Sequence, residues 1–437
     1  SGARHAKVCI LGGGAGGVAL GGKMVRRGAI DARDIFIIEG SDKHYYKPGW
    51  TLYSSVLINK DEIETSMESV KPANTQLIKQ YVEKVDPKKN TVHLKDGSSI
   101  TYDHLVISTG IQFNFDKIKG LKEALLDDQR DVYSVYHYET LEKMQRARER
   151  KFTQAIFTQP ECLITCAGAP QKVLYLTHEA WANKDFRPTI KFIQGTPELF
   201  KVPFYAMKLA ELLEERGVVN IRNHNLIEVT PDNKAIFEHT KTKEKVEHSF
   251  DYLHAVPHMS GRDFLKDSGL VNKDNYVTLN KQTLRHTKYE NVWGLGDGTD
   301  LPTSKTMSAL IEQATVLEKN LTHAITKKGE TEEYDGYTAC PIISRVGMTM
   351  MAEFKYEHKI APTFYKDQRE PTSNFWMMKR YVFPEAALHL MHKGLWGGRR
   401  MFFGKPKDVD YTDFQKAEEE KYNLMEARRE AANKVQK

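Results

Sequence analysis

The chain begins with a strand, a glycine-rich turn and a helix whose spacing leaves few folds open to it. KVCIL at 7–11 is an apolar strand, GGGAGG at 12–17 follows at once, VALGGKMVRRG reads as a helix, and DIFIIE at 34–39 as a second strand. Gly12, Gly14 and Gly17 satisfy G-x-G-x-x-G. The first permits the tight turn, the second lets backbone approach a pyrophosphate, and the third allows helix to pack closely on strand. The free amides of the helix N-terminus then face the phosphates. Glu39 ends the second strand roughly 20 residues beyond the last glycine, where a carboxylate accepts hydrogen bonds from ribose hydroxyls. Glycine-rich turns alone are common, but strand, helix, second strand and terminal acid agree here, and they indicate a dinucleotide site in a parallel α/β sheet. Cys9, between Val8 and Ile10, reads as a small buried hydrophobe.

The acid does not decide between NAD and FAD. Two later strand ends do: LVISTG at 105–110, closing on Gly110, and NVWGLGDGTDLPTSKT at 291–306, which brings Gly296 and Asp297 to a turn. These resemble the strand ends that complete the FAD site of two-domain flavoprotein disulfide reductases, in which an Asp at the position of Asp297 binds the ribityl chain. The resemblance implies an α/β fold of two Rossmann-like domains, the first discontinuous. On this reading 1–115 and 286–350 form the FAD-binding domain, and 116–285 an inserted second Rossmann-like domain. Residues 351–405 form a C-terminal amphipathic helical membrane-binding segment, and 406–437 a charged helical tail.

In relatives that oxidise NAD(P)H the inserted domain opens with its own glycine motif. The equivalent strand here, QAIFTQ, leads into PECLITCAGAPQK, whose only glycine is Gly168. No pyrophosphate cradle fits that spacing, which argues against a nicotinamide donor. Cys166 precedes a helix begun by Pro170, with Lys172 close by, surroundings that favour thiolate. Cys340 lies far along the chain in DGYTACPII. Cys162 stands four residues before Cys166, but no further Cys or His cluster completes a metal set, and it reads as structural. Four cysteines are too few for a disulfide scaffold, and each taken alone reads first as a buried hydrophobe.

CAGAPQK, GLGDGTDLPTSKT, DGYTACP and LWGG, in this order and at these separations, resemble the eukaryotic mitochondrial sulfide:quinone oxidoreductases, from about residue 5 to about 404. The resemblance implies that Cys166 and Cys340 are the redox pair, linked at rest as a disulfide or trisulfide, with Cys340 the persulfide carrier and Cys166 the thiolate beside FAD. Lys172, Lys305 and Lys379 match basic residues near flavin and sulfur. The implied substrates are hydrogen sulfide, ubiquinone and a small thiol or sulfite as sulfur acceptor, at the matrix side of the mitochondrial inner membrane, and a homodimer is compatible with it. Gly298 departs from members that carry cysteine after the Gly-Asp pair, and the tail lies outside the resemblance.

A net charge of +6 without a stripe of cations and aromatics gives no support to nucleic-acid binding. Mean hydropathy is −0.55 and no run of about eighteen uncharged apolar residues occurs, so a conventional spanning helix is excluded. The start SGARHAKVCI implies a targeting signal that was removed or never present. Between 372 and 403, Phe375, Met378 and Val382 recur at helical spacing before an expected break at Pro384. Leu388, Met391 and Leu395 then line a second short helix that Gly394 helps terminate, and Phe402 and Phe403 follow. Lys379, Arg380, Lys393, Arg399 and Arg400 are interspersed, as suits an interfacial anchor, although periodicity alone fits packing on a core equally well. Two other functions share parts of this pattern: a type II NADH:quinone dehydrogenase, and a non-enzymatic flavin-binding redox sensor or membrane adaptor.

Overall fold

The computed structural model describes residues 4–404 and 409–435. β1 (Arg4–Leu11), α1 (Ala15–Arg27) and β2 (Ile35–Ile38) form the expected βαβ unit, with β1 parallel to β2 and Val8 opposite Ile35. Val8, Cys9, Ile10 and Leu11 are all buried, as befits a strand covered on both faces. β3 (Ser99–Ile107) lies parallel on the other side of β1. From one edge the sheet runs Gln76–Ile78, β2, β1, β3, Thr91–Leu94, Val82–Asp86.

β4 (Gln112–Asn114) leads into a second parallel sheet in the order Val132–Tyr133, Tyr252–His254, β5 (Gln154–Gln159), Thr189–Gln194, Val219–Ile221. α2 (Ala169–Ala182) follows β5 and packs against it. β6 (His258–Ser260) pairs antiparallel with β4, so the two crossings lie side by side. The sequence puts the return near 285; in the structure Leu265, Leu270, Val277 and Leu284 already share a core with Val8, Ile10 and Leu105. β7 (Val292–Gly294) then pairs with β3 and delivers Gly296 and Asp297 to the strand ends.

α3 (Met307–Thr326) runs from there to a two-stranded antiparallel ribbon of β8 (Thr338–Arg345) and β9 (Met348–Phe354), with Cys340 opposite Ala352 and Ala339 opposite Glu353. Alternation gives the ribbon two faces. Cys340, Ile342, Ala352 and Phe354 pack in the core that holds α2. Tyr337, Ala339 and Met351 pack instead with Phe364, Phe375 and Met378 of the C-terminal segment.

That segment differs from the sequence expectation in two ways. Pro384 does not break it. Residues 373–393 follow one helical path, with wider π turns at Met378–Val382 and Ala386–Leu390 on either side of Phe383–Glu385. Proline lacks an N–H and crowds the carbonyl four residues back, and a π turn relieves both problems. Gly394 closes the path at φ +66°. The cations also turn inward rather than towards head groups. Arg380 pairs with Glu62 at 2.7 Å, Arg400 with Glu312 at 2.6 Å and Glu332 at 2.8 Å, and Lys379 is buried. Of the five, only Lys393 is exposed. The side chain of Phe403 and residues 405–408 lie outside the described residues.

The tail is not wholly solvated. α4 (Thr412–Val435) lies against Pro203–Glu214, with Phe414 edge-on to Phe204 at 5.5 Å and Glu418 paired to Arg369 at 2.8 Å.

Candidate functional site

The strand ends and the C-terminal segment enclose a cavity of about 450 Å³. Its lining includes Gly12, Gly14 and Glu39 of the βαβ turn, Gly110 and Asp297 of two further strand ends, and both Cys166 and Cys340. Gly12 has φ +97°, and a Cβ there would lie 2.5 Å from the Ser108 carbonyl oxygen. A Cβ on Gly17 would meet the Gly12 carbonyl at 2.0 Å, so helix and turn are in contact. At Gly14 a Cβ would meet nothing within 4 Å, which leaves room for a phosphate to approach. Glu39 is held by the amides of Gly13 and Ser41, each at 2.9 Å.

Trp50 Nε1 and Thr51 Oγ1 are buried without a hydrogen-bond partner among the described residues, and both side chains border the cavity. The start of α3, capped by Thr306 accepting from Ala309 N, also faces it. A phosphate cradle, a carboxylate at ribose distance in the chain, orphaned polar atoms and a helix N-terminus together fit FAD. At Gly298 a Cβ would sit 2.6 Å from the Gly110 carbonyl, so a cysteine there would need the turn to shift.

The cysteine loop is stitched to the FAD-side strand ends. Cys166 N donates to the Lys305 carbonyl at 2.8 Å, and Thr165 Oγ1 donates to Asp297 at 2.6 Å. Cys166 itself sits at φ +51°, a left-handed conformation that a residue with a Cβ adopts at a cost of about 1–3 kcal/mol. This strain aims its sulfur at β8: Cys166 Sγ and Cys340 Sγ are 3.9 Å apart. Gly168 permits the approach, since a Cβ there would come 2.8 Å from Cys340 Sγ.

Lys172 Nζ, from the first turn of α2, donates to Cys166 Sγ at 3.2 Å. A hydrogen bond from Cys340, with Lys172 acting against burial, holds the Cys166 thiol well below its usual range. The same hydrogen bond and burial push Cys340 up. Burial opposes the charge on Lys172, but the two cysteines outweigh it and raise its pKa. With both cysteines free, as in this structure, Cys166 is the more acidic of the two and the one that Lys172 bonds.

Burial brings Lys305 down to about 8 and Lys379 down to about 7. Lys305 donates to the Thr299 carbonyl at 2.8 Å, and Lys379 to the Pro48 carbonyl at 2.7 Å. Both lysines border the cavity without bonding sulfur. Cys9 is buried, and its thiol is pushed up to about 12. Cys162 packs at the edge of the core and is likewise raised by burial.

Three cavity residues carried no signal in the sequence. Tyr136 OH donates to the Thr165 carbonyl at 3.0 Å and supports the cysteine loop. Arg262 donates to the Thr109 carbonyl at 3.1 Å. Lys47 lies between Trp50 and Phe113, at 5.8 and 5.4 Å from their rings. Each comes from a segment with no motif, and only the fold brings them together.

A family model described as pyridine nucleotide-disulphide oxidoreductase matches residues 6–153. Over 399 residues the chain is 36% identical to the mitochondrial sulfide:quinone oxidoreductase of Mus musculus, covering 90% of this chain and 88% of that one. Among solved structures it is similar to the sulfide:quinone oxidoreductase from the hyperthermophilic bacterium Aquifex aeolicus, with TM-score 0.75 and 19% identity over 92% of this chain and 96% of the other. It is also similar to a chain in the mitochondrial ATP synthase F1Fo assembly of Tetrahymena thermophila, with TM-score 0.77 and 23% identity over 92% and 98%. Both structural likenesses speak for the fold.

Proposed function

The chain belongs to the sulfide:quinone oxidoreductase family, and from that premise we propose that it oxidises hydrogen sulfide through Cys166 and Cys340, reduces ubiquinone, and passes sulfane sulfur to a small thiol or sulfite. The observation that carries this reading is a pair of sulfurs 3.9 Å apart, one of them bonded by a buried lysine, in the wall of a dinucleotide cavity.

The pair rests joined through sulfur, as a disulfide or trisulfide. In the disulfide form HS⁻ attacks the Cys340 sulfur; the bond between the cysteines breaks, Cys340 carries a persulfide and Cys166 departs as thiolate. Lys172 stabilises that leaving group, adding to the hydrogen bond from Cys340 that makes Cys166 the acidic member of the free pair. A thiolate or sulfite then takes the outer sulfur from Cys340 and leaves a second thiolate. Loss of two electrons from the two thiolates rejoins them. FAD, when bound, supplies the two-electron acceptor for that step and the donor for quinone. Gly12, Gly14, Gly17 and Glu39 would hold its dinucleotide part, with Gly110 and Asp297 beside the cysteine loop, while Lys305 and Lys379 place positive charge near the reacting centre.

We place the protein in the mitochondrion, seated on the inner membrane from the matrix side. Among the described residues no helix is long and apolar enough to cross a membrane. Met377, Tyr381, Val382, Leu395 and Met401 are exposed on the C-terminal segment and suit a shallow seat in the bilayer interface.

Anaerobic titration of the flavin-loaded protein, followed by flavin absorbance, tests the donor. Sulfide is expected to bleach the flavin rapidly and NADH negligibly. Equal rates would return the type II NADH dehydrogenase, and bound flavin with no turnover by sulfide and quinone would return the redox sensor.

A further inference from the structure

At the apolar end of the cavity, on the ribbon face turned away from Cys340, stands a cation that the sulfur chemistry does not use. The Arg399 side chain is 8% exposed and borders the cavity beside Trp396, Phe402 and Glu353. Its guanidinium carbon lies 3.5 Å from the centre of the Tyr337 ring. Asp335 is 3.8 Å from Nη2, an open ion pair rather than a fork. Arg399 Nε is buried and has no hydrogen-bond partner among the described residues. The ring beneath it is fixed: Tyr337 OH donates to Glu353, which also accepts from Thr363 N at 2.8 Å and from Gln368.

A buried donor left without an acceptor is unfavourable, and a bound molecule with one acceptor oxygen would remove the penalty. We propose that Arg399 selects the electron acceptor: its Nε–H donates to a carbonyl oxygen of the quinone head group, with Tyr337 as the platform that orients the guanidinium and Glu353 as the anchor of that platform. This rests on the reading of the protein as a quinone reductase. Met351, Phe364, Trp396 and Phe402 supply apolar walls for the ring. The carbonyl oxygen gains negative charge as electrons arrive, so a charged donor strengthens its hold on the path to hydroquinone. A lysine would keep the charge but lose the plane that stacks on Tyr337.

The test uses the full flavin-loaded chain with Arg399→Met, Arg399→Lys and Glu353→Gln. Flavin is reduced with dithionite, so that sulfide chemistry is not required, and reoxidation by decylubiquinone is compared with reoxidation by ferricyanide. Binding of oxidised decylubiquinone is measured separately by tryptophan quenching. Arg399→Met is expected to weaken binding and slow quinone reoxidation by about ten- to a hundredfold, the range for a hydrogen bond from a charged donor. Arg399→Lys should recover part of that loss, Glu353→Gln should show a smaller defect of the same kind, and ferricyanide reoxidation should be unchanged. Wild-type binding and reoxidation by decylubiquinone in flavin-loaded Arg399→Met would overturn the proposal, as would an equal loss with ferricyanide. If sulfide fails to reduce the wild-type flavin but the quinone defect appears, the sulfide reading falls and the role of Arg399 stands.

Discussion

The two faces of the β8–β9 ribbon differ in what they ask of a substrate. One presents Cys340 to Cys166 and to the Lys172 ammonium bonded to it, where a small anion is the natural visitor. The other presents Tyr337, Met351 and Glu353 to an apolar chamber walled by the C-terminal segment. A single strand step in β8 changes which packing cluster a side chain joins, Cys340 with α2 and Ala339 with the C-terminal segment, although both border the one cavity. Donor and acceptor can thus be handled in separate environments while both adjoin one cofactor cleft. Damage on one face should spare the half-reaction on the other.

The largest effect belongs to the cysteines. Cys166→Ser and Cys340→Ser should each reduce sulfide-driven flavin bleaching to background in stopped-flow traces, whereas Cys9→Ser and Cys162→Ser should retain most of it. Dithionite-reduced Cys166→Ser should still be reoxidised by quinone. Equal loss of both half-reactions would break the separation of the two faces.

Lys172→Met comes next. Removing the cation bonded to Cys166 should slow sulfide-driven reduction by about 10²–10³-fold, comparable to the loss of one preorganised charge-stabilising donor. Because the lysine lowers the Cys166 pKa, its removal should move thiolate formation, read by ultraviolet absorbance, to higher pH. A rate defect without that shift would mean that Lys172 acts through packing.

Lys379 gives a smaller, pH-dependent effect. Burial brings it down to about 7, so its charge is present below that pH and lost as pH rises through it. Lys379→Arg keeps the charge. Relative to wild type, the variant should be closely matched at pH 6 and favoured by up to about tenfold at pH 8, where only about one-tenth of the wild-type lysine is still charged. Taking the ratio at each pH cancels the changing fraction of HS⁻. A ratio that is flat across this range would remove Lys379 from the electrostatics of the site.

The glycines and Glu39 were legible because they follow from local βαβ spacing, whereas Gly110 and Asp297 were read from family resemblance. The meeting of Cys166 and Cys340 rested on family resemblance, since nothing local in either segment points to the other. The left-handed backbone at Cys166 was invisible, because it goes with a hydrogen bond to Lys305, in the distant segment that leads into α3. The C-terminal segment was least legible. Periodicity shows that a helix has an apolar stripe but not where its arginines find partners, and Glu62, Glu312 and Glu332 all lie in distant segments. Nor does a proline announce that flanking π turns will absorb it.

The inward turn of those arginines fixes the weakest prediction. With Arg380 and Arg400 paired and Arg399 over Tyr337, Lys393 is the exposed cation of the five read in this segment, and one lysine at an anionic surface contributes about 1 kcal/mol. Attachment to vesicles should therefore depend mainly on apolar contact and respond only shallowly to salt. Phe402 is a poor test because it also borders the cavity. Met377, Tyr381 and Val382 are exposed and lie outside its lining. Full burial of such a side chain contributes roughly 1.5–3 kcal/mol, and partial immersion in an interface less, so each Ser substitution should weaken partitioning a few-fold and the triple variant by an order of magnitude or more. Flavin reduction by sulfide should be unaffected in all of them. Release by salt alone, with the triple variant still bound, would show that charge rather than the exposed apolar stripe holds the protein to the surface.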